Sequence, residues 1–412
     1  MHLFTILFLV ALTLSTAIQL WLVARQVKHV RANRAAVPAA FAEKIGLEAH
    51  QKAADYTIAK NQLERIEIIL GCALLLIWTL GGGLSLLDET VRQFSDSILV
   101  TGTAFLISMT IIMSILDLPM SLWRTFVLEQ KFGFNRTTLK TFVGDLVKQT
   151  IIMLLIATPL IALVLWLMEN SGPQWWIYVW AVWIGFGLLM MWAYPTFIAP
   201  LFNKFSPLED DSLRNRIQSL MERCGFKSNG IFVVDGSRRS GHGNAYFTGL
   251  GKNKRIVFFD TLLDSLAEDE VEAVLAHELG HFRRKHILKR IIMMAVISFA
   301  GLALLGWLIQ QDWFYTALGM QQSSLHAALA LFMLVMPVFT LFLHPITAWY
   351  SRQHEFEADD FAAEQSNAND LIKALVKLYE ENANTLTPDP LYSSFHDSHP
   401  PAPVRVAHLS AK

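Results

Sequence analysis

Charged residues are scarce in this sequence. Asp, Glu, Lys and Arg together make up 17% of its 412 residues, whereas 53% are hydrophobic and the mean hydropathy is +0.38. Soluble globular proteins usually have about 25% charged residues. The shortage of charge therefore indicates a chain that lies largely in lipid.

Cysteine is nearly absent, and neither sign of charge is in surplus. The two cysteines are Cys72, in an apolar run, and Cys224, in a polar segment, so no disulfide framework is expected. The formal net charge is −1, which gives no indication of a nucleic-acid partner. The composition therefore makes the lipid bilayer the expected partner and gives no sign of a nucleic acid.

Seven apolar runs are long enough to cross a bilayer, which takes about 20 residues. They are Leu3–Ala24, Ile66–Leu87, Ile98–Leu118, Ile151–Met168, Trp175–Ala193, Ile291–Ile309 and Leu325–Leu343. The first run lacks a basic flank and a small-residue cleavage site, so we interpret it as a retained span rather than a cleaved signal peptide. The runs predict a mainly α, polytopic membrane helix bundle of about seven spans.

Basic residues alternate between the connections. The first, third and fifth connections are rich in Lys and Arg, whereas residues 169–174 and 310–324 contain neither. By the positive-inside rule, the odd-numbered connections and the C-terminal tail face the cytoplasm, and the N-terminus lies outside. The membrane would be a bacterial inner membrane or, in a eukaryote, the ER membrane.

The alternation of charge also predicts a division of the chain into four parts. Residues 1–193 form a membrane domain of five spans, and residues 291–346 form the last two spans. Residues 194–290 and 347–412 flank these two spans and are expected to assemble into one cytoplasmic α+β, gluzincin-like catalytic domain.

Local patterns predict the elements of the first cytoplasmic region. Leu213–Cys224 reads as a helix, and Gly230–Asp235 and Arg255–Phe259 read as strands. A further helix is expected to begin at Ser265, because Glu268 follows at the spacing of a capping box.

This helix carries the motif His-Glu-Xaa-Xaa-His at residues 277–281. Residues four apart lie on one helical face, so His277 and His281 can both bind one metal ion. Glu278 is rotated by about 100° from His277 and can act on a water beside the metal without being a ligand. Zinc lowers the pKa of such a water toward about 7, and a carboxylate can take its proton. The motif predicts a single catalytic Zn²⁺ ion with Glu278 as general base.

A catalytic zinc site needs three protein ligands and one open position. The segment after the last apolar run offers Glu355 and, one helical turn later, Asp359. We expect Glu355 to be the third ligand and Asp359 to accept a hydrogen bond from a ligand histidine. His354 is an alternative ligand, and the nearby acids Glu357 and Asp360 are interpreted as solvated side chains.

Several further segments resemble the type I CaaX prenyl proteases, a family of integral-membrane zinc metalloproteases. In family order these segments are residues 126–135, 198–203, 244–247, 259–262, 277–281, 351–359 and 399–401. The resemblance implies a barrel of seven helices around a water-filled chamber, closed by the catalytic domain on its cytoplasmic side. It also implies peptide-bond cleavage near the C-terminus of a prenylated CaaX substrate, and it makes Glu355 the third ligand.

Two other sets of residues are given roles as hypotheses. Asn244 and Ala245 are expected on a strand edge that pairs with the substrate backbone, and a plain turn is the alternative. His399 or Arg405, in the C-terminal tail, is expected to stabilise the oxyanion, unless these residues only tie the tail to the domain.

Two alternative functions remain open at the level of the sequence. One is a membrane quality-control metalloprotease without prenyl specificity. The other is a zinc-binding transporter or receptor without catalysis, although transporter sites lie near the bilayer midplane and these ligands lie in polar segments outside the spans. Replacement of Glu278 separates an enzyme from a protein that only binds zinc. An enzyme would keep zinc and lose turnover, whereas a pure binding protein would keep both its zinc and its function.

Overall fold

The computed structural model describes residues 2–248 and 253–412. The first part of its membrane region consists of five long helices and two shorter ones. These helices are α1 Leu3–Asn33, α2 Leu47–Trp78, α3 Gly83–Arg92, α4 Ile98–Trp123, α5 Gln130–Phe132, α6 Leu139–Asn170 and α7 Trp175–Ala193.

The polar part of the chain lies between and after the spans. Its elements up to residue 283 are β1 Phe205–Pro207, α8 Asp211–Arg223, β2 Lys227–Val234, β3 Ala245–Thr248, β4 Asn253–Phe259, α9 Asp260–Ser265 and α10 Glu268–Arg283. The last two apolar helices are α11 His286–Leu308 and α13 Leu325–Thr340, and α12 Asp312–Thr316 lies between them. The elements that follow are α14 His344–Gln365, α15 Ala368–Glu381, α16 Pro390–His396 and α17 Ala402–Ser410.

The expected number of spans agrees with the helices. Among the described residues, six helical stretches are long and apolar enough to cross a membrane, and a seventh results if the bent pair α2–α3 counts as one span. The most apolar stretches of α6 and α7 are only 11% and 6% buried. Helices in the centre of a packed bundle would be covered on all sides. Such low burial fits helices at the periphery of the bundle, with an outer face toward lipid.

The second span differs from the straight run predicted at Ile66–Leu87. The helix ends at Trp78, and α3 continues at an angle of 51°. Glycines cause the break, because Gly82 has a φ of +80° and a Cβ on Gly81 would lie 2.8 Å from the carbonyl oxygen of Ile77. Gly82 directly precedes α3, and glycine is the residue that adopts this left-handed conformation without strain.

The polar part of the chain contains a four-stranded sheet, in the order β1-β2-β4-β3. β2 and β4 are parallel, and the two outer strands are antiparallel to their neighbours. β3 is therefore an edge strand. The strand predicted at Arg255–Phe259 lies within β4, and the one predicted at Gly230–Asp235 coincides with β2 as far as Val234, where β2 ends.

The helix with the metal-binding motif starts slightly later than expected. Ser265 ends α9, and α10 begins at Glu268. The carboxylate that reaches back to the helix start belongs to Glu270, which accepts a 2.8 Å hydrogen bond from the backbone N–H of Ala267. The start shifts because Leu266 and Ala267 are extended and separate the two helices.

Candidate metal centre

Helix α10 places the two motif histidines one turn apart with their rings facing the same point. The Nε2 atoms of His277 and His281 are 3.3 Å apart, and the ring planes are nearly perpendicular. An unprotonated imidazole nitrogen can only accept a hydrogen bond, so two such atoms cannot bond to each other. A cation placed between them can bind both.

Helix α14 supplies the third member of the group. The carboxylate oxygens of Glu355 lie 3.5 Å from His277 Nε2 and 3.4 Å from His281 Nε2. One ligand atom from each of the three residues lies within 4.8 Å of the others. Glu355 Oε2 is buried and has no hydrogen bond of acceptable angle from any residue that the structure describes, although His399 Nδ1 is only 2.7 Å away. A buried carboxylate oxygen without a hydrogen bond is costly, and a metal ion bound here would satisfy it.

A glycine lets the two ligand-bearing helices approach each other. Gly280 lies against α14, and a Cβ at this position would be 2.9 Å from Cα of Ala358. Real Cβ atoms almost never come that close to backbone, so α10 and α14 could not pack in this way with a larger residue. The Gly of the motif thus sets the separation between the two histidines and Glu355.

Asp359 and Arg405 lie directly behind His277. The Asp359 carboxylate is 2.8 Å from His277 Nδ1, and it also accepts two hydrogen bonds from the Arg405 guanidinium. Asp359 is fully buried, and Arg405 is 7% exposed. Because Asp359 accepts the Nδ1 proton, the Nε2 atom of His277 is directed toward Glu355 and His281. The expected partner of a ligand histidine is therefore in place.

The two histidines have pKa values that move in opposite directions. Burial and Arg405 lower the pKa of His277, but the Asp359 and Glu355 carboxylates outweigh them and raise it to about 9. Burial and the neighbouring His277 lower the pKa of His281 to about 3. The ring of His281 is thus neutral at physiological pH, as a metal ligand must be.

Glu278 is partly buried beside the ligand group. Burial raises the pKa of its carboxyl, and the Glu355 carboxylate adds to the rise. His277, His399 and Arg405 are near enough to oppose this shift. A carboxylate whose proton affinity is raised is a better base toward water than an exposed glutamate.

The tail residues approach the centre from two sides. His399 is exposed and contacts Glu355, whereas the guanidinium of Arg405 is buried, pairs with Asp359 and lies 3.9 Å from Glu355 Oε2. His399 thus faces the open side of the centre, and Arg405 lies behind the ligands.

Asn244 and Ala245 lie at the start of the edge strand. The backbone N–H of Phe259 donates to the carbonyl oxygen of Asn244, so Asn244 faces β4. Neighbouring residues of a strand direct their backbone groups to opposite sides, so Ala245 directs its N–H toward the free edge. The side-chain oxygen of Asn244 accepts a hydrogen bond from that N–H at 2.8 Å.

Two residues beside the ligands were not assigned a functional role from the sequence. His286 contacts His281, and Glu357 contacts His286. His286 stands outside the motif and reaches the centre only through the turn between α10 and α11, so no spacing rule points to it. His354, the alternative ligand, is buried against His286 and is not part of the three-residue group.

Comparison with known proteins assigns the family. Residues 26–204 match the model of the CAAX prenyl protease N-terminal region with five membrane helices, and residues 207–412 match peptidase family M48. The chain belongs to the M48 peptidases of the CAAX prenyl protease 1 type. It is a membrane metalloprotease, and the alternative of a transporter or receptor without catalysis is wrong.

Individual relatives cover most of the chain. It is 36% identical to the CAAX prenyl protease 1 homolog of Arabidopsis thaliana, over 89% of both chains. It is 36% identical to CAAX prenyl protease 1 of Saccharomyces cerevisiae, over 81% of this chain and 77% of that one. The crystal structure of S. mikatae Ste24p superposes with a TM-score of 0.93 at 31% identity and covers 99% of each chain. These findings confirm the resemblance, the mainly helical multi-pass fold and the enzyme class expected from the sequence.

Proposed function

We propose that this metalloprotease uses one zinc ion to cleave prenylated CaaX-type substrates, with Glu278 as general base. The observation that carries the proposal is the convergence of His277, His281 and Glu355 around one point, with a buried Glu355 oxygen that has no hydrogen bond. The specificity for prenylated substrates is supported by the relatives, which are named CAAX prenyl proteases.

The residues around the ligands can perform each proton transfer of peptide hydrolysis. Zinc, when bound to two imidazoles and a carboxylate, supplies Lewis-acid polarisation of a carbonyl group and of a water molecule. Glu278 takes a proton from the water while the oxygen of that water attacks the scissile carbonyl carbon. When the C–N bond breaks, Glu278 gives that proton to the leaving amine nitrogen, which completes a carboxylic acid and a free amine.

His399 and Ala245 would hold the reacting peptide. His399 is exposed beside Glu355, and its ring can donate a hydrogen bond to the carbonyl oxygen that becomes negative. Arg405 is held by Asp359, which favours a supporting role for Arg405 and makes His399 the preferred donor. The free edge of β3 can accept a substrate strand, with the N–H of Ala245 as donor once the Asn244 side chain moves aside.

We propose the same orientation as the charge pattern predicts. The catalytic domain faces the cytoplasm and the N-terminus lies outside, because Lys and Arg are concentrated in the odd-numbered connections. The positive-inside rule assigns such connections to the cytoplasm. The proposed domain division is also retained: 1–193, 194–290, 291–346 and 347–412.

Cleavage of matched peptides tests this proposal. Purified full-length protein is given a farnesylated CaaX peptide and the same peptide without the lipid, before and after treatment with a chelator and after zinc is added back. We expect cleavage of the farnesylated peptide, loss with the chelator and recovery with zinc. Equal cleavage of both peptides would support a quality-control protease without prenyl specificity, and cleavage that survives the chelator would contradict the zinc mechanism.

A further inference from the structure

His286 is a buried histidine that the mechanism above does not use. It is 1% exposed and is the first residue of α11, directly after the turn that follows the motif helix. Lys285, in this turn, has a φ of +59°, an unusual conformation for a residue with a side chain. This turn directs His286 back toward α10 and places it beside the metal ligand His281.

The contacts of His286 form a continuous chain from the ligand to an acid. His281 Nδ1 lies 2.9 Å from His286 Nδ1, and His286 Nε2 lies 2.9 Å from an oxygen of Glu357. The same Glu357 oxygen is 3.5 Å from the ammonium group of Lys289. An ionised carboxylate can only accept hydrogen bonds, so His286 carries its proton on Nε2.

This assignment fixes the state of the ligand. Nδ1 of a neutral His286 is then an acceptor, so the proton between the two rings belongs to Nδ1 of His281. His281 must in turn present a bare Nε2 toward His277 and Glu355, which is the form that binds a metal. Among the described residues, His286 is the hydrogen-bond partner found for Nδ1 of His281.

Packing holds the ring of His286 in this orientation. His354 stacks on it with ring centres 4.0 Å apart and planes within 9°. The ring of Tyr350 packs edge-to-face with that of His354, and the two ring centres are 4.4 Å apart. The stacked rings resist rotation of His286, so the chain of hydrogen bonds keeps one geometry.

A single stretch of α14 therefore acts on all three ligands. Glu355 is itself a ligand, and Asp359, on the same helical face, contacts His277. Glu357 lies about 200° around the helix from Glu355, because each residue turns the helix by about 100°. It cannot join the same ligand group, and the ring of His286 spans the distance to His281.

We propose that His286 and Glu357 are positioning residues that hold His281 in its metal-binding tautomer and thereby set the affinity for the metal. This inference rests on the proposed function, because it assigns the role through the ligand His281. Partners of ligand histidines typically change metal affinity by about 10–100-fold when they are removed.

The test measures zinc affinity by competition with a chelator, on full-length protein in detergent. His286→Phe keeps a ring that can stack on His354 but removes both nitrogens, and we expect zinc affinity to fall about 10–100-fold. His286→Asn returns an acceptor near the position of Nδ1 and should recover most of that loss. Glu357→Ala should weaken zinc binding in the same direction. Asp360→Ala is the matched control, because Asp360 is on the same helix but pairs with His408 and Lys412.

Thermal unfolding of the metal-free proteins separates positioning from a purely structural role. We expect His286→Phe and Glu357→Ala to unfold within a few degrees of wild type, although both bind zinc more weakly than wild type. Wild-type zinc affinity in both variants would overturn the inference and leave the proposed function intact. An affinity loss that follows only the loss of thermal stability, without recovery in His286→Asn, would also overturn it. If wild-type protein itself binds no zinc, the proposed function fails instead.

Discussion

At the residue scale, the metal centre depends on buried charges that neutralise one another. Asp359 and Arg405 form an ion pair behind His277, and both are removed from water. The loss of one partner of such a pair leaves a buried charge without compensation, which costs about 3–5 kcal/mol. A replacement of both by apolar residues of similar size is often neutral or stabilising. The contribution of the pair to the unfolding free energy can therefore be separated from its contribution to metal affinity.

Asp359→Leu and the double variant Asp359→Leu with Arg405→Met make this division. We expect the single variant to lose about 3–5 kcal/mol of unfolding free energy and the double variant to recover most of it. Zinc affinity should stay about 10–100-fold below wild type in both, because His277 has lost its acceptor. Denaturant unfolding and chelator competition measure the two effects. Recovery of zinc affinity in the double variant would contradict the assigned role of Asp359.

The grouping of His277, His281 and Glu355 was predictable from the sequence because the spacing on each of the two helices is local. His277 and His281 are four residues apart on one helix, and Glu355 and Asp359 repeat this spacing on another. His286 was not predictable, because its approach to His281 depends on the left-handed conformation of Lys285. Spacing rules describe regular helices, and this residue acts across the break between two of them.

At the scale of elements, the close contact between α10 and α14 determines whether three ligands meet. Gly280 makes that contact possible, since an added Cβ would press on the backbone of Ala358. In most helix interiors, Gly→Ala stabilises a protein by about 0.5–1 kcal/mol. Here the same change should separate the two helices.

Gly280→Ala should therefore weaken zinc binding and lower both kcat and thermal stability. The matched control is Gly144→Ala, in helix α6, where a Cβ meets no other atom within 4 Å. We expect at least a tenfold loss of zinc affinity in the first variant and a change within error in the second, measured by chelator competition. Unchanged zinc affinity in Gly280→Ala would show that the helices can separate without moving the ligands.

Element boundaries were less predictable than element types. The apolar run at Ile66–Leu87 has the length of one span, but three consecutive glycines, with Gly82 at positive φ, divide it into two helices. The motif helix begins at Glu268 rather than Ser265, because the capping carboxylate comes from Glu270. Hydrophobic length and spacing cannot distinguish a straight helix from one with a turn inside it.

At the scale of the whole molecule, the last two spans join the two halves of the catalytic domain. Helix α11 starts at His286 beside the metal centre, and α14 continues from the end of the last span to Glu355. The centre is thus attached directly to membrane helices, and its side of the bilayer follows from their orientation.

Labelling of single cysteines tests this orientation. In a background with Cys72→Ser and Cys224→Ser, Glu222→Cys places a thiol in the catalytic domain and Gln321→Cys places one in the opposite connection; both positions are exposed. In intact cells we expect a membrane-impermeant maleimide to label Gln321→Cys alone, and to label Glu222→Cys only after permeabilisation. The reverse pattern would contradict the proposed cytoplasmic catalytic domain.

The central claim is that Glu278 acts on the substrate and leaves metal binding to its neighbours. The most direct measurement is zinc stoichiometry together with cleavage of a farnesylated CaaX peptide, for wild type, Glu278→Gln and the exposed control Glu222→Gln. We predict one zinc per chain in all three, and a fall in kcat of at least about 10²–10⁴-fold in Glu278→Gln alone. Substantial turnover by Glu278→Gln with its zinc retained would contradict the account, because another group would then have to be the base.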